Sequence, residues 1–316
     1  MTAPRPPAIE TTGLRKAFGD HTVLDGIDLT VAAGTIFALL GPNGAGKTTT
    51  VNILSTLISA DAGTARVAGH DIDRDGSAVR AAIGVTGQFS AVDGLLTGAE
   101  NLRLMADLHH LGRAEGRRQS AALLERFDLT DVARKPAMTY SGGMKRKLDL
   151  AMTLMGSPTV IFLDEPTSGL DPRSRRDLWD LVRGLVADGV TIMLTTQYLD
   201  EADRLADRIA VLDSGRIVAE GTPAELKRRV PGGTISLHLN DLDELEAAVR
   251  AFPDGVRDND ALTLSLSAGG DIPSIRSVLD RLERSAVTAS HLEVTSPGLD
   301  DVFLALTGPD ARKVAL

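Results

Sequence analysis

A glycine-rich loop at residues 41–48, with the sequence Gly-Pro-Asn-Gly-Ala-Gly-Lys-Thr, places the strongest constraint on how this chain can fold. The apolar run at residues 35–40 predicts a buried parallel strand, and the spacing of apolar residues at 48–59 predicts a helix. A strand, a glycine loop and a helix in this order form the context that a phosphate-binding loop requires. The segment therefore predicts an α/β fold with a phosphate site.

Each residue type in this loop has a physical reason to be there. Glycines let the backbone curl so that several N–H groups point inward, and the helix N-terminus behind them adds partial positive charge. Lys47 is expected to reach the β- and γ-phosphates of a nucleotide, and Thr48 to offer its hydroxyl to Mg²⁺. The alternative, a turn without a ligand, is disfavoured by the flanking segments. The loop residues predicted to bind nucleotide are Gly41, Pro42, Asn43, Gly44, Ala45, Gly46, Lys47, Thr48 and Thr49.

Two acidic residues follow a second apolar strand, which is predicted at residues 160–163. Asp164, at the end of that strand, is expected to hold the metal ion. Glu165 comes next and is placed to polarise a water molecule for attack on the γ-phosphate. An isolated Asp-Glu pair after a strand is usually a solvated strand end. Because this chain also carries a phosphate loop, we interpret the pair as the acidic half of the same site.

A Tyr-Ser-Gly-Gly-Met segment at residues 140–144 precedes the acidic pair. Ser141 is a good helix N-cap, and Gly142 and Gly143 lack side chains, so another surface can approach closely. Apolar residues at helical spacing follow and predict a helix with one buried side and an exposed N-terminus, which favours an anion. The alternative is a plain capped helix. The basic residues at 145–147 are expected to form a solvated turn.

With these segments placed, residues 8 to about 225 resemble the ATP-binding subunit of an ABC transporter. The resemblance implies an ABC-type P-loop NTPase fold, with a RecA-like core, an antiparallel β subdomain and a helical subdomain at about 88–157. It also implies ATP and Mg²⁺ as cofactors, and an ATP-dependent head-to-tail dimer in which residues 141–143 meet the γ-phosphate held by a second copy. Thr-Thr-Gln-Tyr-Leu at 195–199 and Leu-Asp-Asp-Val-Phe-Leu-Ala-Leu-Thr-Gly at 299–308 look like the daunorubicin-resistance-type branch of drug exporters.

The resemblance assigns roles to residues outside the loop. Phe18 matches the aromatic that stacks on adenine, and Gln88 matches the glutamine that touches metal and water. Asp171 lies in the short loop at the interface between the two subunits. The expected catalytic residues are Glu165, Lys47 and Gln197; the expected ATP-binding residues beyond the loop are Phe18, Gln88, Ser141, Gly142, Gly143 and Asp171; the expected Mg²⁺ ligands are Thr48, Gln88 and Asp164.

Gln197 departs from the family pattern, because most members have a histidine at this place. A glutamine amide donates a hydrogen bond but cannot carry charge or shuttle a proton. We therefore expect a working site in which Glu165 is less well assisted. A regulator that binds ATP without hydrolysing it stays open as an alternative, although Glu165 and Lys47 argue against it.

Composition narrows the setting in which the protein acts. The chain has no cysteine, which suits a reducing cytosol, and its apolar runs are far shorter than the roughly 20 residues that span a bilayer. A net charge of −9, concentrated after residue 230, argues against nucleic acid as a partner. A soluble ABC ATPase acting on ribosomes or DNA is a further alternative, but such proteins usually carry two ATPase modules or a long inserted coiled coil, and this chain shows neither.

The resemblance thus predicts a cytoplasmic protein that lies peripherally on the cell membrane, bound to a separate polytopic permease that exports an antibiotic or other hydrophobic drug. Gln88 and residues 89–96 are the expected contact with that permease.

The 316 residues are enough for two domains. Residues 1–7 are expected to be disordered, residues 8–230 to form the ATP-binding domain, and residues 231–316 to form an accessory domain. The pattern of the accessory segment is β-α-β-β-α-β plus a last helix, which predicts a small α+β domain of the ferredoxin-like type. It contains no catalytic cluster, so we favour dimerisation or regulation over substrate binding for it. Residues 113–118, in the ATP-binding domain, are expected to form a loop between helices.

Overall fold

The structure is a computed structural model that describes residues 6–88, 90–229, 233–268, 272–285, 287–295 and 298–307. The prediction of disorder at 1–7 therefore falls mostly on residues outside this range. The strands are β1 (Ile9–Phe18), β2 (His21–Val31), β3 (Ile36–Leu40), β4 (Ala62–Val67), β5 (His70–Asp71), β6 (Ile83–Thr86), β7 (Val160–Asp164), β8 (Thr191–Thr196), β9 (Arg208–Asp213), β10 (Arg216–Gly221), β11 (Gly233–Leu239), β12 (Val256–Asp258), β13 (Thr263–Ala268) and β14 (Ala289–Thr295).

The helices begin with α1 directly after the glycine loop. They are α1 (Lys47–Leu54), α2 (Gly76–Ala82), α3 (Gly98–Leu108), α4 (Arg113–Arg126), α5 (Gly142–Thr153), α6 (Pro172–Ala187), α7 (Leu199–Leu205), α8 (Pro223–Lys227), α9 (Leu242–Ala251), α10 (Ile272–Arg284) and α11 (Leu299–Thr307). None of the described helices is both long and apolar enough to cross a bilayer. The chain divides into two compact units, residues 1–223 and 224–316.

A six-stranded sheet in the order β10-β9-β3-β8-β7-β6 forms the centre of the first unit. The pairs β9-β3, β3-β8, β8-β7 and β7-β6 are parallel, and β10 pairs with β9 in the antiparallel sense. The strands β3, β7 and β8 are buried along their whole length, which explains the unbroken apolar run of β3 and the apolar residues at the centre of β7 and β8. Their carboxyl ends all meet at one edge, where the glycine loop and the acidic pair follow.

A second, antiparallel sheet in the order β2-β1-β4-β5 packs over α1. Val51 and Leu54 of α1 lie in one apolar cluster with Phe37 and Phe162 of the parallel sheet and Leu14 of the antiparallel sheet. This cluster fixes the β1-β2 hairpin relative to the glycine loop.

The segment between β6 and α5 is mainly helical and contains α3 and α4. Thr97 and Glu100 form a reciprocal capping box at the start of α3. The buried side chain of Asn101 accepts from the Asp93 N–H at 2.9 Å and donates to the carbonyl oxygens of Asp93 and Thr97, both at 3.0 Å. These bonds hold the stretch before α3 in one conformation.

The second unit contains a four-stranded antiparallel sheet in the order β12-β13-β11-β14. Residues of β11 alternate between buried and half-buried, and its inward side chains Ile235 and Leu237 join Leu245 of α9 and Val278 of α10 in a separate core. The strand order and the two helices are those of the ferredoxin-like pattern that the sequence predicts.

Two predicted boundaries are wrong. Residues 113–118 are helical, because α4 begins at Arg113, and Glu115 binds Arg118 and Gln119 along the helix surface at 2.6 and 2.8 Å. The helix after the glycine loop ends at Leu54 instead of residue 59, because Thr56 takes a left-handed conformation at φ 61°.

Candidate nucleotide site

The glycine loop connects β3 to α1 and is pressed against neighbouring backbone. A Cβ on Gly41 would lie 2.3 Å from the Leu212 carbonyl oxygen, so no larger residue fits there. Gly46 has φ 109°, and a Cβ on it would lie 2.5 Å from the Leu24 side chain. Both glycines are therefore required by the way the loop packs, and they keep its backbone N–H groups close to α1.

Lys47 is buried at the first position of α1, with only 5% of its residue surface exposed. Its Nζ donates to the carbonyl oxygens of Gly41 and Pro42 at 2.8 and 3.1 Å and lies 3.7 Å from Glu165 Oε1. Burial lowers the pKa of Lys47, and the charges of Glu165 and Asp164 oppose that effect. The ammonium group thus lies between the loop and the catalytic candidate.

Asp164 ends β7 directly opposite the start of α1. The Thr48 hydroxyl donates to Asp164 Oδ2 at 2.9 Å, and the Thr195 hydroxyl donates to Asp164 Oδ1. A hydroxyl beside a carboxylate is an oxygen donor set of the kind that Mg²⁺ prefers. The residues present therefore fit a magnesium ion.

Glu165 has a left-handed backbone conformation at φ 47°, which is uncommon for a residue other than glycine. Its N–H donates to the Thr195 carbonyl oxygen at 3.1 Å, and its side chain is mostly buried. Backbone strain of this kind persists only where the surroundings hold it, and it clusters at functional sites.

Lys47, Thr48 and Glu165 border one open cleft with a volume of 620 Å³. The side chain of Phe18, at the tip of the β1-β2 hairpin, is 53% exposed, and Lys16 Nζ lies 5.4 Å from its ring centroid. The residues lining the cleft are Phe18, His21, Val23, Asn43, Gly44, Gly46, Lys47, Thr48, Thr49, Gln88, Glu165, Ser168 and Gln197.

Three of these residues, His21, Val23 and Ser168, were not expected in the nucleotide site. His21 is the antiparallel register partner of Phe18, which brings it to the same end of the hairpin. The turn at Gly19-Asp20 between them carries this signal in the sequence, because a tight hairpin sets the partner of Phe18.

Other predicted residues do not line the cleft. Gly41, Pro42 and Ala45 contribute through the backbone of the loop: the first two accept from Lys47, and Ala45 is buried. Asp164 lies beneath the cleft in contact with Thr48.

The Ser-Gly-Gly segment lies outside this cleft, at the N-terminus of α5. Ser141 is the N-cap, and its hydroxyl accepts from the Met144 N–H at 3.2 Å. Ser141 and Gly142 are exposed, and a Cβ on Gly143 would lie 2.5 Å from the Ser174 hydroxyl oxygen. The described structure therefore leaves this helix N-terminus exposed and outside the cleft that the phosphate loop of the same chain borders.

Asp171 also lies outside the cleft, where its carboxylate caps α6. It accepts from the N–H groups of Arg173 and Ser174, both at 3.0 Å, and from the Ser174 hydroxyl at 2.6 Å. These bonds lower the pKa of Asp171, with the Ser174 hydroxyl as the largest cause. The carboxylate is thus occupied in capping a helix in this single copy.

The prediction that residues 145–147 form a solvated turn is wrong for Arg146. Its guanidinium is largely buried and donates to Pro166, Gly87 and Asp164 carbonyl oxygens, and to Asp149. A helix N-terminus followed by three basic residues gives no sign of which one turns inward.

Comparisons with known proteins identify the family of this chain. Residues 24–168 match the ABC transporter family. The daunorubicin resistance ATP-binding protein DrrA3 of Streptomyces coeruleorubidus is 50% identical over 96% of this chain and 97% of that protein. The daunorubicin/doxorubicin resistance ATP-binding protein DrrA of Streptomyces peucetius is 47% identical over 96% of this chain and 93% of that protein.

A solved structure of the ATP-binding subunit of an ABC transporter is 29% identical and superposes with a TM-score of 0.63. The superposition covers 70% of this chain and 92% of the chain in the solved structure. The predicted fold class is thereby confirmed. Sequence, fold and the cleft together lead to one conclusion: the chain belongs to the ABC transporter family, in the branch of daunorubicin-resistance ATP-binding subunits, and is an ATPase.

Proposed function

We propose that this protein binds and hydrolyses MgATP as one of two identical subunits that drive a separate membrane permease, which exports a hydrophobic drug. One observation carries the proposal: Lys47, the Thr48–Asp164 pair and Glu165 meet at a single cleft at the end of the parallel sheet. The names of the curated relatives, which confer resistance to daunorubicin and doxorubicin, support the export of compounds of that kind.

The residues of the site have separate roles in the hydrolysis of ATP. The loop N–H groups and Lys47 hold the phosphates, and the exposed ring of Phe18 offers a face on which adenine stacks. Thr48, Asp164 and Gln88 would hold Mg²⁺, which supplies charge neutralisation on the phosphate oxygens. Glu165 accepts the proton of the attacking water, and Gln197 donates a hydrogen bond to the γ-phosphate.

A second copy of the chain completes each site. Ser141, Gly142 and Gly143 lie away from the cleft of their own chain, at the exposed N-terminus of a 12-residue helix. Such a terminus favours a negatively charged group. In a head-to-tail dimer, each copy offers this terminus to the triphosphate held by the other, and ATP closes the dimer because it binds the closed state more tightly. Asp171 then lies at the same interface.

Gln197→His is expected to keep the ATPase rate of the wild type or raise it several-fold. A histidine at this place could donate to the γ-phosphate and also support Glu165, which a neutral amide does less well. Phosphate release under saturating MgATP measures the effect. A severe loss of turnover would show that the amide of Gln197 has a role of its own.

The permease is expected to dock on the segment that follows Gln88 and on a groove between α3 and α4. Phe89 lies outside the described residues, Leu95 is 81% exposed, and Leu96 is half-buried. The groove has a volume of 530 Å³ and an apolar floor that includes Ala106 and Leu124.

Four arginines line this groove and make no ion pair with any described residue. They are Arg103, Arg113, Arg117 and Arg134. Two acidic residues also line the groove: Asp107, and Glu100, which is bound to the N–H and hydroxyl of Thr97, so arginines outnumber carboxylates four to two. Positive charge around an apolar floor complements an amphipathic segment that carries acidic residues. We propose such a cytoplasmic segment of the permease as the occupant, which places the protein on the cytoplasmic face of the membrane.

Survival of drug-sensitive cells tests the function and the docking surface together. The protein is co-expressed with a candidate polytopic permease, and the cells are challenged with a panel of hydrophobic drugs. The double variant Arg103→Glu and Arg117→Glu is expected to lose resistance, because like charges across an interface cost several kcal/mol, while its purified form still hydrolyses ATP. Arg118→Glu, on the same helix but outside the groove, is the matched control and should protect as the wild type does.

Two outcomes would contradict these proposals separately. Full resistance in the double variant would exclude the arginine groove as the docking surface. Failure of the wild type to protect against any drug in the panel would contradict drug export.

We also propose that residues 8–230 act as the ATP-binding domain and residues 231–316 as an accessory domain for dimerisation or regulation. The division between the two compact units falls between residues 223 and 224, seven residues before the boundary drawn from the sequence.

A further inference from the structure

The side chain of Arg146 connects α5, the helix that Ser141 caps, to the segments that hold Glu165 and Gln88. It lies in the second turn of α5, and only 11% of its side chain is exposed. Its Nε donates to the Pro166 carbonyl oxygen at 2.8 Å and its Nη2 to the Asp164 carbonyl oxygen at 3.2 Å. Its Nη1 donates to the Gly87 carbonyl oxygen at 2.9 Å. One planar group therefore binds three backbone carbonyl oxygens in two segments of the chain.

Two of these hydrogen bonds hold the residues on either side of Glu165, the catalytic candidate. Asp164 and Pro166 are the residues directly before and after Glu165, whose backbone is held at φ 47°. A guanidinium group is always charged and offers five N–H donors in a rigid fork. It can therefore bind both neighbouring carbonyl oxygens at once. The strained position of Glu165 therefore depends on where Arg146 lies.

The third bond of Arg146 and a bond made by Asp149 hold the backbone before and after Gln88. Arg146 binds the carbonyl oxygen of Gly87, directly before Gln88. Asp149, one turn further along α5, accepts from Arg146 Nη1 at 3.3 Å and from the Ala91 N–H at 3.2 Å. The two side chains together hold the backbone on both sides of Gln88.

Arg146 and Asp149 are a largely buried pair of opposite charges. Burial lowers the pKa of Arg146 and raises the pKa of Asp149, and in each case the partner's charge opposes that effect. Removing one member leaves the other charge buried without compensation, which costs far more than the pair contributes. Because separating the two charges is so costly, Arg146 and Asp149 are expected to stay paired and to move together with α5, the helix that carries both.

We propose that Arg146 is a positioning residue that couples the two ATP sites of the dimer. This inference rests on the proposed head-to-tail dimer, in which the start of α5 meets the nucleotide of the other copy. When α5 moves toward that nucleotide, Arg146 carries the motion to Glu165 and Gln88 of its own copy. Hydrolysis at one site thus depends on the presence of ATP at the other.

The test compares Arg146→Lys and Arg146→Gln with Lys147→Gln in the full-length protein. Lys147 is the matched control, because it lies on the same helix, its side chain is only 18% exposed, and its ammonium group pairs with Asp177 at 3.9 Å. We measure MgATP affinity by calorimetry, and we measure turnover as a function of ATP concentration. The wild type and Lys147→Gln are expected to hydrolyse ATP with positive cooperativity.

Both Arg146 variants are expected to bind MgATP within about twofold of the wild type, because the phosphate loop is untouched, while kcat falls by about 10²-fold through misplacement of Glu165. Their Hill coefficient should fall to about 1, the value for independent sites. Lysine keeps the charge but cannot bind three carbonyls in one plane, so it should not restore cooperativity. It also supplies a folded variant if Arg146→Gln is unstable.

Wild-type kcat and cooperativity in Arg146→Lys would overturn the inference. So would a loss of ATP affinity and thermal stability with the Hill coefficient unchanged, since that pattern belongs to a purely structural residue. Absence of hydrolysis in the wild type would instead contradict the proposed function, so the two failures can be told apart.

Discussion

Glu165→Gln is expected to bind MgATP and remain locked as a dimer, with turnover reduced by about 10²- to 10⁴-fold, the usual contribution of a positioned proton acceptor. The amide preserves the shape of the side chain but cannot take a proton from water. The γ-phosphate then stays in place and holds the two copies together. Turnover is measured by phosphate release, and the dimer by size-exclusion chromatography with MgATP.

Glu125→Gln makes the same chemical change at an exposed position of α4 and serves as the control. It should hydrolyse ATP normally and return to a monomer. A Glu165→Gln variant that stays monomeric in saturating MgATP would argue against shared sites, and one that hydrolyses normally would exclude Glu165 as the proton acceptor.

Lys47→Ala is expected to lower ATP affinity by about 10- to 100-fold, because charge-assisted hydrogen bonds contribute about 1.5–3 kcal/mol. The change also leaves Glu165 without the ammonium group that lies 3.7 Å away. Repulsion between this carboxylate and the triphosphate then adds to the loss. Turnover should be undetectable at ATP concentrations that saturate the wild type.

Calorimetric titration with MgATP measures the affinity, and Lys135→Ala, which removes an exposed lysine, is the control. Unchanged ATPase activity in Lys47→Ala would refute the assignment of the phosphate loop. Melting temperatures of both variants exclude a general loss of folding as the cause.

The sequence predicts the fold class and the loop because both depend on strong local patterns. Buried parallel strands need unbroken apolar runs, and the loop at Gly41 and Gly46 admits no Cβ. The same reasoning finds Asp164 and Glu165, since the carboxyl ends of parallel strands meet at one edge of the sheet.

Features that depend on distant partners were not predictable. Arg146 and its neighbours are alike in sequence, and only the carbonyl oxygens of Gly87, Asp164 and Pro166 distinguish Arg146 from them. The start of α4 at Arg113 was missed because its first two turns are strongly polar, so hydrophobic periodicity gives no signal there. His21 differs from these cases, because the tight turn at Gly19-Asp20 sets its register with Phe18 and so carries a signal for it in the sequence.

The outward position of Ser141 has a consequence for how the protein behaves in a cell. In the proposed head-to-tail dimer, a single copy lacks the helix terminus that completes its site and is idle until it meets another, so output per molecule would rise with abundance. Copies that are scarce or not assembled with a partner would then hydrolyse little ATP, and dilution alone would lower their activity. A permease that gathers two copies side by side would restore their activity without altering a single catalytic group.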